Sequence, residues 1–220
     1  MNILRQLTEK PWEPAQGPAV ALDAGRSFPH LASATLGLRV FLGVVTVLFS
    51  LLVIAHAERM TFEDWRPAPR QWLLWLNTAS LIASSIAFQW ASISVRRGRV
   101  DDTRAGLIAA GYFAVAFLLG QLWAWRQLNA MIYFDITNPA IAFFYLITAL
   151  HGLHLLGGLV VWGRTTAEVW RGPDLARAEL PVRLCATYWH FLLGLWLILF
   201  GLLFSGNDNL NVLLSICGLR

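Results

Sequence analysis

The chain has 220 residues, 57% of them apolar and only 14% charged, with 17 Lys and Arg against 13 Asp and Glu. Soluble domains carry about 25% charged residues, so this composition argues against a water-soluble globule and for a bilayer. The net charge of +4 does not mark a nucleic-acid surface, because Lys10 is the only lysine and the arginines cluster between apolar runs, where they set topology.

Residues 1–35 are polar and Pro-rich, lack the short apolar core of a cleavable signal, and are expected to form an N-terminal cytoplasmic segment. Five apolar runs follow, at 36–56, 72–95, 105–125, 139–163 and 186–205, each near the ~20 residues needed to cross a bilayer as a helix. Residues 206–220 form a tail. The expected fold is therefore an all-α integral membrane protein, a bundle of five transmembrane helices. With the N-terminus inside, the inner segments hold eleven Arg and Lys and the outer ones five, which predicts N-inside and C-outside. Tryptophans crowd the predicted ends of the spans (Trp65, Trp72, Trp75, Trp123, Trp125, Trp162 and Trp170), the pattern of an interfacial belt. Cys185 and Cys217 fall on opposite predicted faces, so neither a disulfide between them nor a thiol-redox role is expected.

No Asp or Glu falls in the central part of a predicted span. Pumps and ion-coupled transporters place ionisable groups at depth, so five spans without a buried acid make a poor pump. Asn77, Thr78, Ser80, Ser84 and Ser85 in the second span read as small-residue and hydrogen-bonding helix contacts rather than a pore lining. Three histidines lie within spans. His151 and His154, three residues apart, share a helix face that continues to Gly158, and His190 heads a stripe with Gly194, Leu197 and Gly201. Gly admits close approach of helices and His then bonds across the contact. The competing reading is a metal or haem site, since neutral imidazole binds Zn, Cu and Fe. Depth disfavours a bis-His haem: His154 is about 13 Å and His190 about 6 Å from the same membrane face at 1.5 Å per residue. His56, at a helix end, and His30 are expected to be solvated.

Several segments together resemble subunit III of haem-copper terminal oxidases. Asn138 and the AIAFF run at 140–144, then Thr148, His151-Gly152-Leu153-His154 and Gly157, are similar to the family's FFxxTGxHGxHVxxG pattern. Tyr188-Trp189-His190-Phe191, with Trp196 and Phe200, is similar to its YWHFVDxVWxxLF pattern. Leu76-Asn77-Thr78 with Ser84-Ser85, and Leu119, Gln121 and Trp125, match parts of two others. The resemblance spans about residues 37–204. Three acids of the family pattern are replaced: Val45 stands at a Glu (with Val44 at the preceding Ser), Ala124 at a Glu and Leu193 at an Asp.

The resemblance implies a non-catalytic subunit of a complex that reduces O2 to water, in the bacterial cytoplasmic membrane. It would pack against catalytic subunit I, with subunit II in the same complex, and enclose phospholipid in a cleft. Haem and copper are then expected on the partner subunits and no catalytic, cofactor or metal residue on this chain. His151, His154, Gly157, Gly158, Tyr188, Trp189, His190, Phe191 and Trp196 become a helix-packing and lipid-cleft signature, through which the three histidines fix the fourth and fifth helices. Loss of the three acids leaves open an accessory role for a nitric oxide reductase, and the His cluster leaves open a membrane-embedded metal- or haem-binding protein.

Overall fold

A computed structural model describes residues 27–62, 72–131, 139–172 and 175–204, each in a helix or in a short connection beside one. The helices are α1 (Ser27–Arg59), α2 (Leu73–Arg96), α3 (Val100–Met131), α4 (Pro139–Arg171) and α5 (Leu175–Phe204). All five are long and apolar enough to cross a membrane. Of residues 1–36 the described part is the start of α1; the packing below lies within residues 37–220. Trp65 and Cys217 fall outside the described residues, as does the side chain of His30.

The helices run past the apolar spans. α3 begins at Val100 rather than 105, α4 continues to Arg171, and α5 starts at Leu175, well before 186. A hydropathy run stops at the first charges, but a helix need not. Asp101 and Asp102 in the first turn of α3 suit the exposed N–H groups there, and the Ala, Glu and Arg beyond the spans are good helix formers. Between α2 and α3 the chain reverses on Gly98, at φ 70°. The Arg99 N–H returns to the Ser94 carbonyl at 3.0 Å and the Gly98 N–H to Val95 at 3.1 Å, a Schellman closure that requires the left-handed residue.

Four helices close into a ring. Asn77 of α2 meets Gln121 of α3 while Ser84 meets Ala110, so α2 and α3 are antiparallel. Trp125–Thr148 and Trp162–Leu107 set α4 antiparallel to α3, Tyr188–His154 and Cys185–Thr165 set α5 antiparallel to α4, and Trp196–Thr78 and His190–Ser85 return α5 to α2. This is up-and-down bundle packing, in which each neighbour pair shares side chains along its length. α1 lies against the ring through a smaller cluster of Val45 and Phe49 with Ile147 of α4 and Leu199 of α5.

Hydrocarbon gives helices no hydrophobic reason to associate, so close packing and polar contacts must hold them. The serines and threonine of α2 act in this way: Ser80 donates to the Phe113 carbonyl at 2.9 Å and Ser84 to the Ala110 carbonyl at 2.8 Å.

Candidate functional site

The interior of the ring carries one layer to which every helix contributes. At its centre is His151, 0% exposed, with Trp196 at 5.1 Å between ring centroids, Phe117 edge-on at 6.0 Å and Phe49 edge-on at 6.4 Å. Trp196 donates its indole N–H to Thr78 Oγ1 at 3.0 Å, and the Thr78 hydroxyl donates to the Leu74 carbonyl at 2.8 Å. Among the described residues neither ring nitrogen of His151 has a hydrogen-bond partner. The expectation that His151 bonds across the helix contact is thus corrected: it fits by ring contacts, edge-to-face with the two phenylalanines.

One turn on, His154 donates Nδ1–H to the Leu150 carbonyl of its own helix at 2.8 Å, leaving Nε2 as the acceptor. Its ring rests on Phe41 and Phe49 of α1 at 6.2 and 5.6 Å. Tyr188 reaches across from α5 and donates to the His154 carbonyl at 2.9 Å. Trp189 beside it is fully buried, 4.5 Å from the Phe88 ring, while Phe191 is half-buried and packs on both clusters. A Cβ on Gly158 would stand 2.7 Å from Tyr188 Cε1 and 2.8 Å from Trp189 Cζ3, so only glycine lets α4 and α5 approach this closely. Gly157 behaves differently. A Cβ there meets nothing within 4 Å, and the same holds for Gly194 and Gly201 of α5. These three are not packing glycines, because no neighbouring helix comes close enough to need the missing Cβ. Gly157 instead lines an apolar pocket of about 420 Å³ between α1, α4 and α5, with Leu38, Phe41, Leu153, His154 and Tyr188.

His190 also departs from its expected role. It is exposed and joins α5 to α2, not to α4: the Ser85 hydroxyl meets Nδ1, and Nε2 lies 2.9 Å from Gln89 Oε1. His56, expected in solvent, is buried with its ring edge-on to Phe143 at 5.4 Å, because α4 covers that side of α1. Among the described residues no group of three His, Cys, Asp or Glu side chains is arranged to hold a metal ion.

The family model of cytochrome c oxidase subunit III matches residues 68–206. Cytochrome c oxidase subunit 3 of Thermostichus vulcanus is 30% identical over 198 residues, covering 86% of this chain and 94% of that protein. The chain belongs to the cytochrome c oxidase subunit III family. Similarity extends to a probable cytochrome c oxidase subunit 3 of Mycobacterium leprae, 34% identical over 58% of this chain and 63% of that one. It extends also to cytochrome c oxidase subunit 3 of Synechocystis sp., 26% identical over 76% of this chain and 73% of its own. As a subunit III with five helices fit to span a membrane, it is a multi-pass membrane protein. It is part of a respiratory oxidoreductase complex and works there with other subunits.

The three positions where acids of the subunit III pattern are replaced now have surroundings. Val45 and Ala124 are buried in apolar packing, Val45 where α1 meets Ile147 and Leu199 of the ring and Ala124 in the main core. Leu193 is half-buried beside His190. Several contacts of this subunit III went unread in the sequence. Asn77 donates its amide to Gln121 Oε1 at 2.8 Å, and a Cβ on Gly120 would collide with the Asn77 carboxamide. Gly111 likewise makes room for the ring of Trp162, whose indole N–H donates to the Leu107 carbonyl at 2.9 Å. Trp125 turns inward to Thr148 Oγ1 at 3.1 Å. So Trp125 and Trp162 join helices, whereas Trp72, Trp75, Trp123 and Trp170 keep the exposure of an interfacial belt.

Proposed function

We propose that this chain is the non-catalytic structural subunit III of a haem-copper terminal oxidase in a bacterial cytoplasmic membrane. It stands N-inside and C-outside and packs against catalytic subunit I, with subunit II in the same complex. Haem and copper belong to those partners and the O2 chemistry is theirs. The observation that carries this reading is the use of the polar side chains inside the ring. Asn77, Thr78, Ser80, Ser84, Gln121, Trp125 and Thr148 are engaged in joining helices or capping their own turns. His151 and His190 fit a haem or copper poorly. His151 is walled in by three rings, and both nitrogens of His190 are engaged.

The arginine count supports the orientation. Phospholipid is the natural occupant of the pocket between α1, α4 and α5. Its lining is almost wholly apolar and matches an acyl chain, while the headgroup would stay at the interface.

Purification from native membranes in mild detergent tests the assignment. The chain is expected to retain one large haem-bearing subunit in fixed ratio, and to show no Soret band when separated from it. A Soret band in the isolated, folded chain would establish the haem-binding alternative. Retention of a nitric oxide reductase subunit would move the chain to a different enzyme.

A further inference from the structure

Where α3 begins and α4 ends, one arginine lacks a counter-charge. Arg104 stands at the edge of the apolar run 105–125, with its guanidinium over the Trp170 ring at 5.3 Å. Nη2 donates to the Val169 carbonyl at 3.3 Å. Nε is enclosed without a partner, and Nη1 is open and has none among the described residues. No carboxylate among those residues pairs with it. Asp102 is taken by Arg99 at 3.0 Å, and Asp101, one turn nearer to water, makes no ion pair. Arg96, Arg97 and Arg99 crowd the same turn, so arginines outnumber acids there.

Beside Arg104 an apolar groove of about 450 Å³ follows the seam of α3 and α4. Ile108, Gly111, Tyr112 and Val115 form one wall, and Trp162 and Trp170 form the other. From Arg104 to Val115 is about 16 Å at 1.5 Å per residue. Half of a ~30 Å hydrocarbon core is about 15 Å, so the groove is one leaflet deep. Tyr112 is exposed in it, and its hydroxyl has no hydrogen-bond partner among the described residues. Side chains on a helix lean toward its N-terminus, which carries that hydroxyl back toward Arg104.

A cation at the membrane edge is followed by a hydroxyl donor and then by an apolar trough one leaflet long. A phospholipid has its parts in the same order, from phosphate through ester to acyl chain. The unpaired guanidinium calls for an anion, and a headgroup phosphate is the anion that a bilayer holds at its edge. We propose that the α3–α4 groove is a binding site for an anionic phospholipid, separate from the pocket between α1, α4 and α5. The phosphate accepts from Arg104 Nη1, an ester carbonyl accepts from the Tyr112 hydroxyl, and one acyl chain fills the trough to Val115. The surrounding arginines favour a net negative headgroup over a zwitterionic one. The site asks only that the chain spans a membrane, whichever enzyme it serves.

Native mass spectrometry of the complex purified from native membranes tests the site, with phosphatidylglycerol or phosphatidylcholine titrated in detergent. Arg104→Gln is expected to weaken binding of one phosphatidylglycerol on the order of fivefold, the effect of one arginine near an anionic headgroup. Val115→Trp, which fills the trough and keeps the arginine, is expected to lose the same lipid. If Arg104→Gln fails to fold for want of its bond to Val169, Val115→Trp decides alone. Arg97→Gln, on the same turn but outside the groove lining, is expected to leave that lipid bound. Unchanged phosphatidylglycerol binding in either groove variant would overturn the proposal. An equal loss with Arg97→Gln would also overturn it, by tracing the effect to the charge of the whole turn. So would phosphatidylcholine held as tightly as phosphatidylglycerol. Benzoylphenylalanine at Ile108 is expected to cross-link to no protein in native membranes, and capture of a partner subunit or a second copy would overturn the lipid assignment.

Discussion

Trp196→Ala is expected to cost this chain about 3–5 kcal/mol of folding stability, the range for removing a buried Trp or Phe from a packed interior. The side chain is fully buried where four helices meet. Its loss removes an edge-on contact with Phe117 at 4.9 Å and the contact with His151 at 5.1 Å, and leaves Thr78 without its donor. Lipid is as apolar as the core, so the transfer part of that range is reduced and the loss falls at its lower end. Trp196→Phe keeps most of the volume and gives up one hydrogen bond, a loss of about 1 kcal/mol. Unfolding in mixed detergent and SDS micelles measures both. The expected order is wild type, then Trp196→Phe, then Trp196→Ala. Equal stability of wild type and Trp196→Ala would mean that the His151 layer does not hold the ring.

Gly158→Leu should be about as damaging, and Gly157→Leu nearly harmless. The two glycines are neighbours on α4 with opposite surroundings. At Gly158 even a methyl meets the rings of Tyr188 and Trp189 within 3 Å, whereas at Gly157 it meets nothing within 4 Å. Overpacking costs typically 1–3 kcal/mol, and about 3 or more is expected where two fixed aromatic rings must move. The same unfolding assay decides, with Gly157→Leu as the control for helix propensity, since both substitutions gain equally from replacing Gly in a helix. Equal effects at the two positions would contradict the close α4–α5 contact.

This pair also shows where the sequence is legible and where it stops. The number of spans and their order followed from apolar runs near bilayer length, and each run lies along an observed helix. Which side of a helix meets a neighbour did not follow. Gly157 and Gly158 differ by one position in the chain but by about 100° around the helix, and only the neighbour α5 distinguishes them. Trp125 and Trp123 read alike as belt residues at a helix end, yet one bonds Thr148 and the other is exposed. The sequence has His190 fix the fourth helix to the fifth, but its hydrogen bonds join α5 to α2. Asn77 and Gln121 were each visible in the family pattern; their pairing depends on the α2–α3 register, which one sequence does not print. Helix ends were missed wherever a helix continues into polar, helix-favouring residues, as at Arg164–Arg171 of α4.

The central proposal is that this chain supports an oxidase as a structural partner, so that its loss shortens the working life of the complex, and does none of its chemistry. The most direct measurement is oxygen consumption per haem, followed through prolonged turnover, in the complex purified with and without this chain. The account predicts the same initial rate and the same haem spectrum in both preparations, with activity decaying sooner where the chain is missing. An initial rate or a haem content that falls at once on removing the chain would contradict it.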